Sequence, residues 1–74
     1  MKEMTIKLTT IQDVQKFVEV IERCPYAVDL CSGRYVVDAK SLMGIFSLDL
    51  LHPIKLVAHE DDPDLLEKLK DFKV

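Results

Sequence analysis

The sequence predicts an α+β domain in which helices cover one face of a four-stranded antiparallel sheet. Three observations lead to this fold class. The elements follow the order β-α-β-β-α-β-α, the strand-like runs alternate apolar and polar residues, and each long helix shows one apolar face. With 74 residues the chain is expected to form a single domain over 1–74, whose small core buries about 60% of the unfolded surface.

The first strand and helix are marked by a change of period. Residues 5–9 alternate apolar and polar with β-branched side chains, as in a half-buried strand. Thr10 then suits a helix N-cap, and Pro25 prevents continuation beyond about residue 23. The stripe expected to be buried comprises Ile11, Val14, Phe17, Val18 and Ile21.

A hairpin and a short helix are expected next. The strand-like runs 26–31 and 34–37 are separated by Ser32-Gly33, which favours a tight turn. A helix over 42–48 begins at Ser41 and contains Gly44. Its apolar residues are too dense for an amphipathic surface helix.

The last strand and helix have clear signals. Residues 53–59 alternate again, and Asp61-Asp62-Pro63 combines capping carboxylates with a proline at the first helical position. The same acids lack the ligand spacing of a calcium loop. The buried stripe of the last helix is expected to be Leu65, Leu66, Leu69 and Phe72.

Composition argues against several classes of partner. The net charge is −3 with scattered lysines, so nucleic acid is not expected, and no apolar stretch approaches the 18 or so residues of a membrane span. No signal peptide is evident, which favours a cytoplasmic protein. Cys24 and Cys31 lack metal-site or redox spacing, so free thiols are expected although a disulfide is possible. No metal or cofactor is expected.

Residues 37–48, VDAKSLMGIFSL, closely resemble the regulatory-serine region of the HPr family, the phosphocarriers of the bacterial sugar phosphotransferase system. That family carries a Lys-Ser-(Ile/Leu)-Met-Gly run after the second hairpin strand. The resemblance implies an HPr-like open-faced sandwich and covers roughly the last two thirds of the chain. It also implies phosphorylation of Ser41 by an ATP-dependent kinase of the kind found in many low-GC Gram-positive bacteria. Without the resemblance, Ser41 would be read as an ordinary N-cap.

The same resemblance implies a partner-binding surface. By the family's geometry Leu42, Met43 and Phe46 form an exposed apolar patch rimmed by Lys40 and Ser47. Ile45 and Leu48 are then expected in the core. The alternative is that all five apolar side chains are core. The expected partner is a protein, either a serine kinase or a transcriptional or metabolic regulator.

The start of the first helix departs from the family. Its active-site loop reads Gly-(Ile/Leu)-His-Ala-Arg-Pro-Ala, whereas residues 9–14 here are TTIQDV. Thr10 and Gln12 cannot form a phosphohistidine, and Asp13 would repel a phosphate at this helix end. His52 and His59, the only histidines, are expected to be surface imidazoles rather than replacement carriers.

We therefore expect a protein that is not an enzyme, with no catalytic residue, and that acts as a regulatory or partner-binding relative of the phosphocarriers. Two alternatives remain at this point. One is a phosphocarrier that uses an unrecognised residue, and the other is a small ferredoxin-like module that binds a ligand.

Overall fold

The computed structural model describes residues 2–74 and has the predicted element order. The strands are β1 (Lys2–Ile6), β2 (Val28–Ser32), β3 (Tyr35–Asp38) and β4 (Ile54–Ala58). The helices are α1 (Ile11–Glu22), α2 (Leu42–Phe46) and α3 (Pro63–Lys68). The sheet has the order β1-β4-β2-β3 with every pair antiparallel, which confirms the predicted fold class.

One face of the sheet supplies the core. Ile6 lies opposite Ile54, and Leu30 lies opposite both Leu56 and Val37, so the apolar residues of successive strands are in register. The four buried residues of α1 belong to the same core cluster. Because side chains alternate along a strand, this register sends the polar residues to the other face.

The other face of the sheet is open and carries polar side-chain pairs. Lys55 Nζ lies 3.1 Å from Glu3 Oε1, and His59 Nε2 lies 2.7 Å from Asp29 Oδ2. The first is an ion pair between β1 and β4, and the second is a hydrogen bond between β2 and the residue after β4. Both are partly exposed and therefore contribute modestly to stability.

The first strand lies earlier than the predicted residues 5–9. β1 pairs with β4 from Lys2 to Ile6, and the chain then leaves the ladder to enter α1. Thr9 lies outside β1 because its backbone N–H donates to the Asp13 carboxylate at the start of α1 instead of to a strand. Alternation continues through Leu8, which is buried, so the pattern could not locate this exit.

Two further boundaries are shifted. The hairpin turn is Gly33-Arg34 rather than Ser32-Gly33, with Gly33 at φ +60, a value suited to the first position of a type II′ turn. The last helix ends at Lys68, before Phe72. The carbonyl of Phe72 instead accepts from the Lys7 N–H at 2.8 Å, while its ring packs edge-on against Phe17 with the ring centroids 6.0 Å apart.

Within residues 2–74, no helix has the length and apolar character needed to cross a membrane.

Candidate functional site

Helix α2 presents an apolar surface to solvent. Leu42, Met43 and Phe46 are 40%, 82% and 43% exposed, and together they are called the α2 patch below. Ile45 and Leu48 are buried in the core. The predicted division of these five residues is therefore confirmed, and the alternative that all five are core is wrong. Their role in binding a partner stays a prediction.

The close approach of α2 to the sheet explains this division. A Cβ on Gly44 would lie 3.2 Å from Val37 Cβ, so glycine allows α2 to sit directly on β3. Ser41 caps the helix, with its Oγ accepting from the Gly44 N–H at 3.1 Å. With α2 held by its start and its glycine, Ile45 enters the core and the α2 patch stays outside.

The two predicted rim residues are tied to the chain itself. Lys40 Nζ donates to the Cys24 carbonyl at 2.9 Å, beyond the end of α1. Ser47 Oγ donates to the Gly44 carbonyl at 2.6 Å. These bonds hold both side chains in place, while the Lys40 ammonium keeps two N–H donors and the Ser47 hydroxyl keeps its lone pairs for a partner. Ser41 itself is half-buried.

Two more exposed apolar side chains were not expected from the sequence. Leu51 is 82% exposed in the loop before β4, and its carbonyl accepts from Lys7 Nζ at 2.6 Å. Ile11 was predicted to be buried, which is wrong, since it is 62% exposed. As the first residue of α1, Ile11 precedes the part of the helix that packs on the sheet. Leu51 lies in a short loop, where no repeating pattern of apolar residues indicates which side chains are exposed.

The start of α1 is capped by one of its own carboxylates. Asp13 Oδ2 accepts from Thr9 Oγ1 at 2.7 Å, from the Thr9 N–H at 3.1 Å and from the Thr10 N–H at 3.3 Å. Thr10 Oγ1 accepts in return from the Asp13 N–H at 3.0 Å, completing a capping box. The hydrogen bonds from Thr9, foremost that of its hydroxyl, hold the pKa of Asp13 below its usual value.

A cleft of about 360 Å³ lies beside this helix start. Lys7, Lys16 and Lys73 line it together with Asp13 and Asp71. Charges of both signs therefore face the same space, so the cleft does not select an anion or a cation by charge alone.

The two histidines lie at opposite ends of β4. His52 precedes β4 at the end of the sheet where β1 leads toward α1, and its Nε2 lies 3.7 Å from Asp49 Oδ2. His59 follows β4 at the other end and is bound to Asp29. Both are exposed, as predicted, and neither lies within α1 or its cap.

The sulfur atoms and acids form no further centre in the described chain. Cys24 and Cys31 are free, as predicted, and both are partly buried. Among residues 2–74, no group of three or more potential metal ligands from histidine, cysteine, aspartate and glutamate comes together. The acids preceding α3 act in its cap, where Asp62 Oδ1 accepts from the Asp64 N–H at 3.0 Å.

This combination of sheet order, three helices and a capped short helix defines the HPr-like fold, the α+β class that the chain has. Two solved structures carry the comparison. The chain is similar to HPr-C-His from Thermoanaerobacter tengcongensis, with 28% identity over 96% of this chain and 89% of that one, at a TM-score of 0.81. It is also similar to the phosphocarrier protein HPr from Bacillus anthracis strain Ames, with 23% identity over 99% and 94% of the two chains, at a TM-score of 0.73.

No protein-family model and no curated protein matches the sequence. The resemblance to HPr phosphocarriers that the sequence suggested is thus confirmed at the level of structural similarity.

Proposed function

We propose that the chain is a non-catalytic relative of the HPr phosphocarriers that docks a protein partner on the α2 patch and is controlled by phosphorylation of Ser41. The observation that carries this proposal is the exposure of Leu42, Met43 and Phe46 immediately after the Ser41 cap. Exposed methionine and phenylalanine side chains suit an adaptable protein interface.

The start of α1 supports a role without phosphoryl transfer. A carrier needs a neutral imidazole that attacks the donor, and free N–H groups that steady the acquired phosphate. Here Thr10 and Asp13 occupy the helix start, and the Thr9 and Thr10 N–H groups are already bound to a carboxylate. A phosphate at this position would have to overcome the negative charge of that carboxylate.

The proposed partner is a serine kinase of the HPr type or a transcriptional or metabolic regulator, acting in the cytoplasm. Modification of Ser41 would add a charge of about −1.5 to −2 next to the α2 patch. The phosphate oxygens would also be stronger acceptors for the Gly44 N–H than the Ser41 hydroxyl is. The phosphate therefore changes both the charge and the cap at one edge of the docking surface, and through both it would control binding.

The test is a pair of aspartate substitutions at two exposed apolar positions. Met43→Asp places a charge in the centre of the α2 patch, whereas Val74→Asp does so at a site 67% exposed and away from α2. We expect Met43→Asp to weaken binding of an HPr-type serine kinase, measured by calorimetry, at least about tenfold, as for an interface anchor. Val74→Asp should leave the affinity unchanged.

Thermal unfolding of both variants separates docking from folding. Each exposed substitution should change stability by no more than about 0.5 kcal/mol. A loss of several kcal/mol for Met43→Asp would show that the side chain is core and would refute the docking surface. Unchanged affinity in a folded Met43→Asp variant would refute it as well.

A phosphocarrier that uses another residue is the second candidate, and the structure favours one position for it. His52 lies at the end of the sheet from which the chain enters α1, whereas His59 lies at the opposite end. His52 is also the more exposed, with 76% of its side chain accessible against 42% for His59. If a histidine of this chain accepted a phosphoryl group, we would expect it to be His52.

A further inference from the structure

Strand β3 forms an uncovered edge of the sheet. It pairs with β2 on one side, and within residues 2–74 no strand pairs with its other side. The opposite edge is partly covered, because the Val74 N–H donates to the Thr5 carbonyl at 3.0 Å and Lys73 bridges to Ile6. Backbone groups on an open edge are a template for pairing with another strand.

The hairpin shows which backbone groups of β3 face outward. In a hairpin with a two-residue turn, the flanking residues, here Ser32 and Tyr35, exchange backbone hydrogen bonds, and the bonded pairs then alternate along the ladder. The Ala39 N–H accordingly donates to the Val28 carbonyl at 2.9 Å. The N–H and C=O of Val36, which lies in a non-bonded pair, therefore point away from β2.

The side chains along this edge are apolar in the middle and charged at the ends. Tyr35 and Val36 are 72% and 64% exposed, and Arg34 and Asp38 flank them. In the described part of the chain, neither Arg34 nor Asp38 takes part in an ion pair. Asp38 lies opposite Asp29, so its neighbour on β2 is an acid rather than a cation.

We propose that the β3 edge pairs with the same edge of a second copy of this chain, antiparallel and centred on Val36. The two copies would be related by a two-fold axis perpendicular to the sheet, which keeps the core faces on one side. The joined sheet would have eight strands, with both α2 patches left free for a partner.

Charge complementarity selects this register. An axis through Tyr35 would place Arg34 opposite Val36, and an axis through Val37 would place Val36 opposite Asp38. Each of these sets a charge against an apolar side chain. An axis through Val36 places Arg34 opposite the Asp38 of the second copy at both ends, and Tyr35 opposite Val37. It also lets the two outward-facing Val36 residues exchange backbone hydrogen bonds.

The contact is short, so the dimer should be weak and dependent on concentration. We expect sedimentation velocity to show a shift from monomer to dimer between about 10 μM and about 1 mM, the range suited to small interfaces. Arg34→Asp and Asp38→Arg each place like charges opposite one another at both ends of the pair. Each variant alone should weaken dimerisation at least about tenfold.

An equimolar mixture of the two variants is the decisive sample. In the mixed dimer the two substituted positions face each other at one end, an introduced aspartate against an introduced arginine. The unchanged Arg34 and Asp38 face each other at the other end, so both pairs are attractive again. We expect the mixture to dimerise within about threefold of the unmodified chain. The controls are Lys16→Asp and Glu19→Arg on α1, which make the same charge changes on exposed positions and should alter nothing, alone or mixed.

Val36→Pro provides a test that does not depend on charge. It removes the outward N–H and leaves the β2 ladder intact, so it should abolish the dimer while circular dichroism shows a folded chain. Asp38→Arg also removes the acceptor for the Lys40 N–H, which Asp38 Oδ1 binds at 2.9 Å. If that variant fails to fold, Val36→Pro is the one to use. A monomer at every concentration would overturn the proposal, as would a dimer that survives in Val36→Pro or that the charge-swap mixture fails to restore.

Discussion

Asp13 Oδ2 lies 2.7 Å from Thr9 Oγ1, so the first helix begins with an ionised carboxylate bound by the residues just before it. The same oxygen also accepts from two backbone N–H groups. A helix start is a ready anion site. In this chain the anion is a side chain of the helix itself, which ties the stability of α1 to the ionisation of one carboxyl group.

Stability should therefore fall in acid through Asp13. Its pKa is lowered in the folded chain, chiefly by the Thr9 hydroxyl hydrogen bond, so its contribution is present above its unfolded pKa of about 3.8 and is lost as the pH falls through the lower folded pKa. We expect Asp13→Asn to lower the thermal midpoint at pH 7, and the difference from the unmodified chain to disappear by about pH 2. Thermal unfolding followed by circular dichroism between these limits measures it.

Asp61→Asn is the matched control for the substitution itself at pH 7. Asp61 is exposed, and its contact with Lys2 at 3.8 Å is a long surface ion pair. At pH 7 this variant should match the unmodified chain to within about 0.5 kcal/mol. A difference for Asp13→Asn that stays equal from pH 7 down to about pH 2 would show that ionisation of Asp13 does not support the helix start.

At high pH, ionisation of Tyr26 should lower the stability of the chain, because it breaks the hydrogen bond to Asp62. The Tyr26 hydroxyl donates to Asp62 Oδ2 at 2.9 Å, and burial followed by this bond raises the pKa of Tyr26. The group therefore adds stability below its unfolded pKa of about 10, and that stability is lost as the pH rises through the folded pKa.

Tyr26→Phe tests the alkaline prediction. Near neutral pH it should cost about 1 kcal/mol, since it removes a hydrogen bond and leaves one carboxylate oxygen without its donor. Above about pH 10 the unmodified chain should lose stability more steeply than the variant. Urea unfolding at several pH values gives both quantities. Parallel pH profiles would mean that the hydroxyl remains unperturbed by Asp62.

The fold was largely accessible from the sequence because its strong signals are local and periodic. The stripe of α1, the Asp62-Pro63 start of α3 and the alternation of β4 each fix an element without reference to the rest of the chain. The end of β1 was missed because it depends on where β4 begins and on how Thr9 is held by Asp13. Such long-range and side-chain pairings leave no mark in the period of the strand.

The site was predictable where a motif carries geometry. The Lys-Ser-Leu-Met-Gly run correctly indicated which apolar residues of α2 face the core. It could not show that Lys40 reaches the Cys24 carbonyl, a contact across 16 positions, or that Leu51 is left exposed by the loop before β4. The roles proposed for Ser41 and the α2 patch remain predictions for experiment.

We expect no phosphoryl acceptance from phosphoenolpyruvate through the general enzyme of the sugar phosphotransferase system. Residues 9–14 at the start of α1 contain no histidine, and Asp13 places a negative charge where a carrier would hold its phosphate. Intact-mass spectrometry after incubation decides it, with an authentic HPr treated alongside. An acid-labile phosphate on the chain would contradict the prediction. If that phosphate were lost in His52→Ala and kept in His59→Ala, His52 would be the acceptor.

Ser41 should be the residue that a family-type serine kinase modifies with ATP. The chain has two other serines, of which Ser47 donates its hydroxyl to the Gly44 carbonyl and Ser32 ends β2 at the hairpin. Ser41 differs from both because it begins α2 beside the α2 patch, with its Oγ bound to the Gly44 N–H. Peptide mapping after the reaction should therefore find the phosphate on Ser41 alone.

The comparison that follows is partner affinity for the unmodified chain, the phosphoprotein and Ser41→Ala. The alanine variant should lose about 1 kcal/mol of stability through the missing cap but bind as the unmodified chain does, since the α2 patch is unchanged. The phosphoprotein should bind differently from both, because its added charge lies beside Leu42 and Met43. Ser47→Ala controls for loss of a hydroxyl at the other end of α2 and should be modified normally. Phosphate on Ser32 or Ser47 instead would leave Ser41 as a helix cap. So would the absence of any phosphate while the same kinase modifies an authentic phosphocarrier, and in that case the kinase would require the histidine loop that residues 9–14 do not provide.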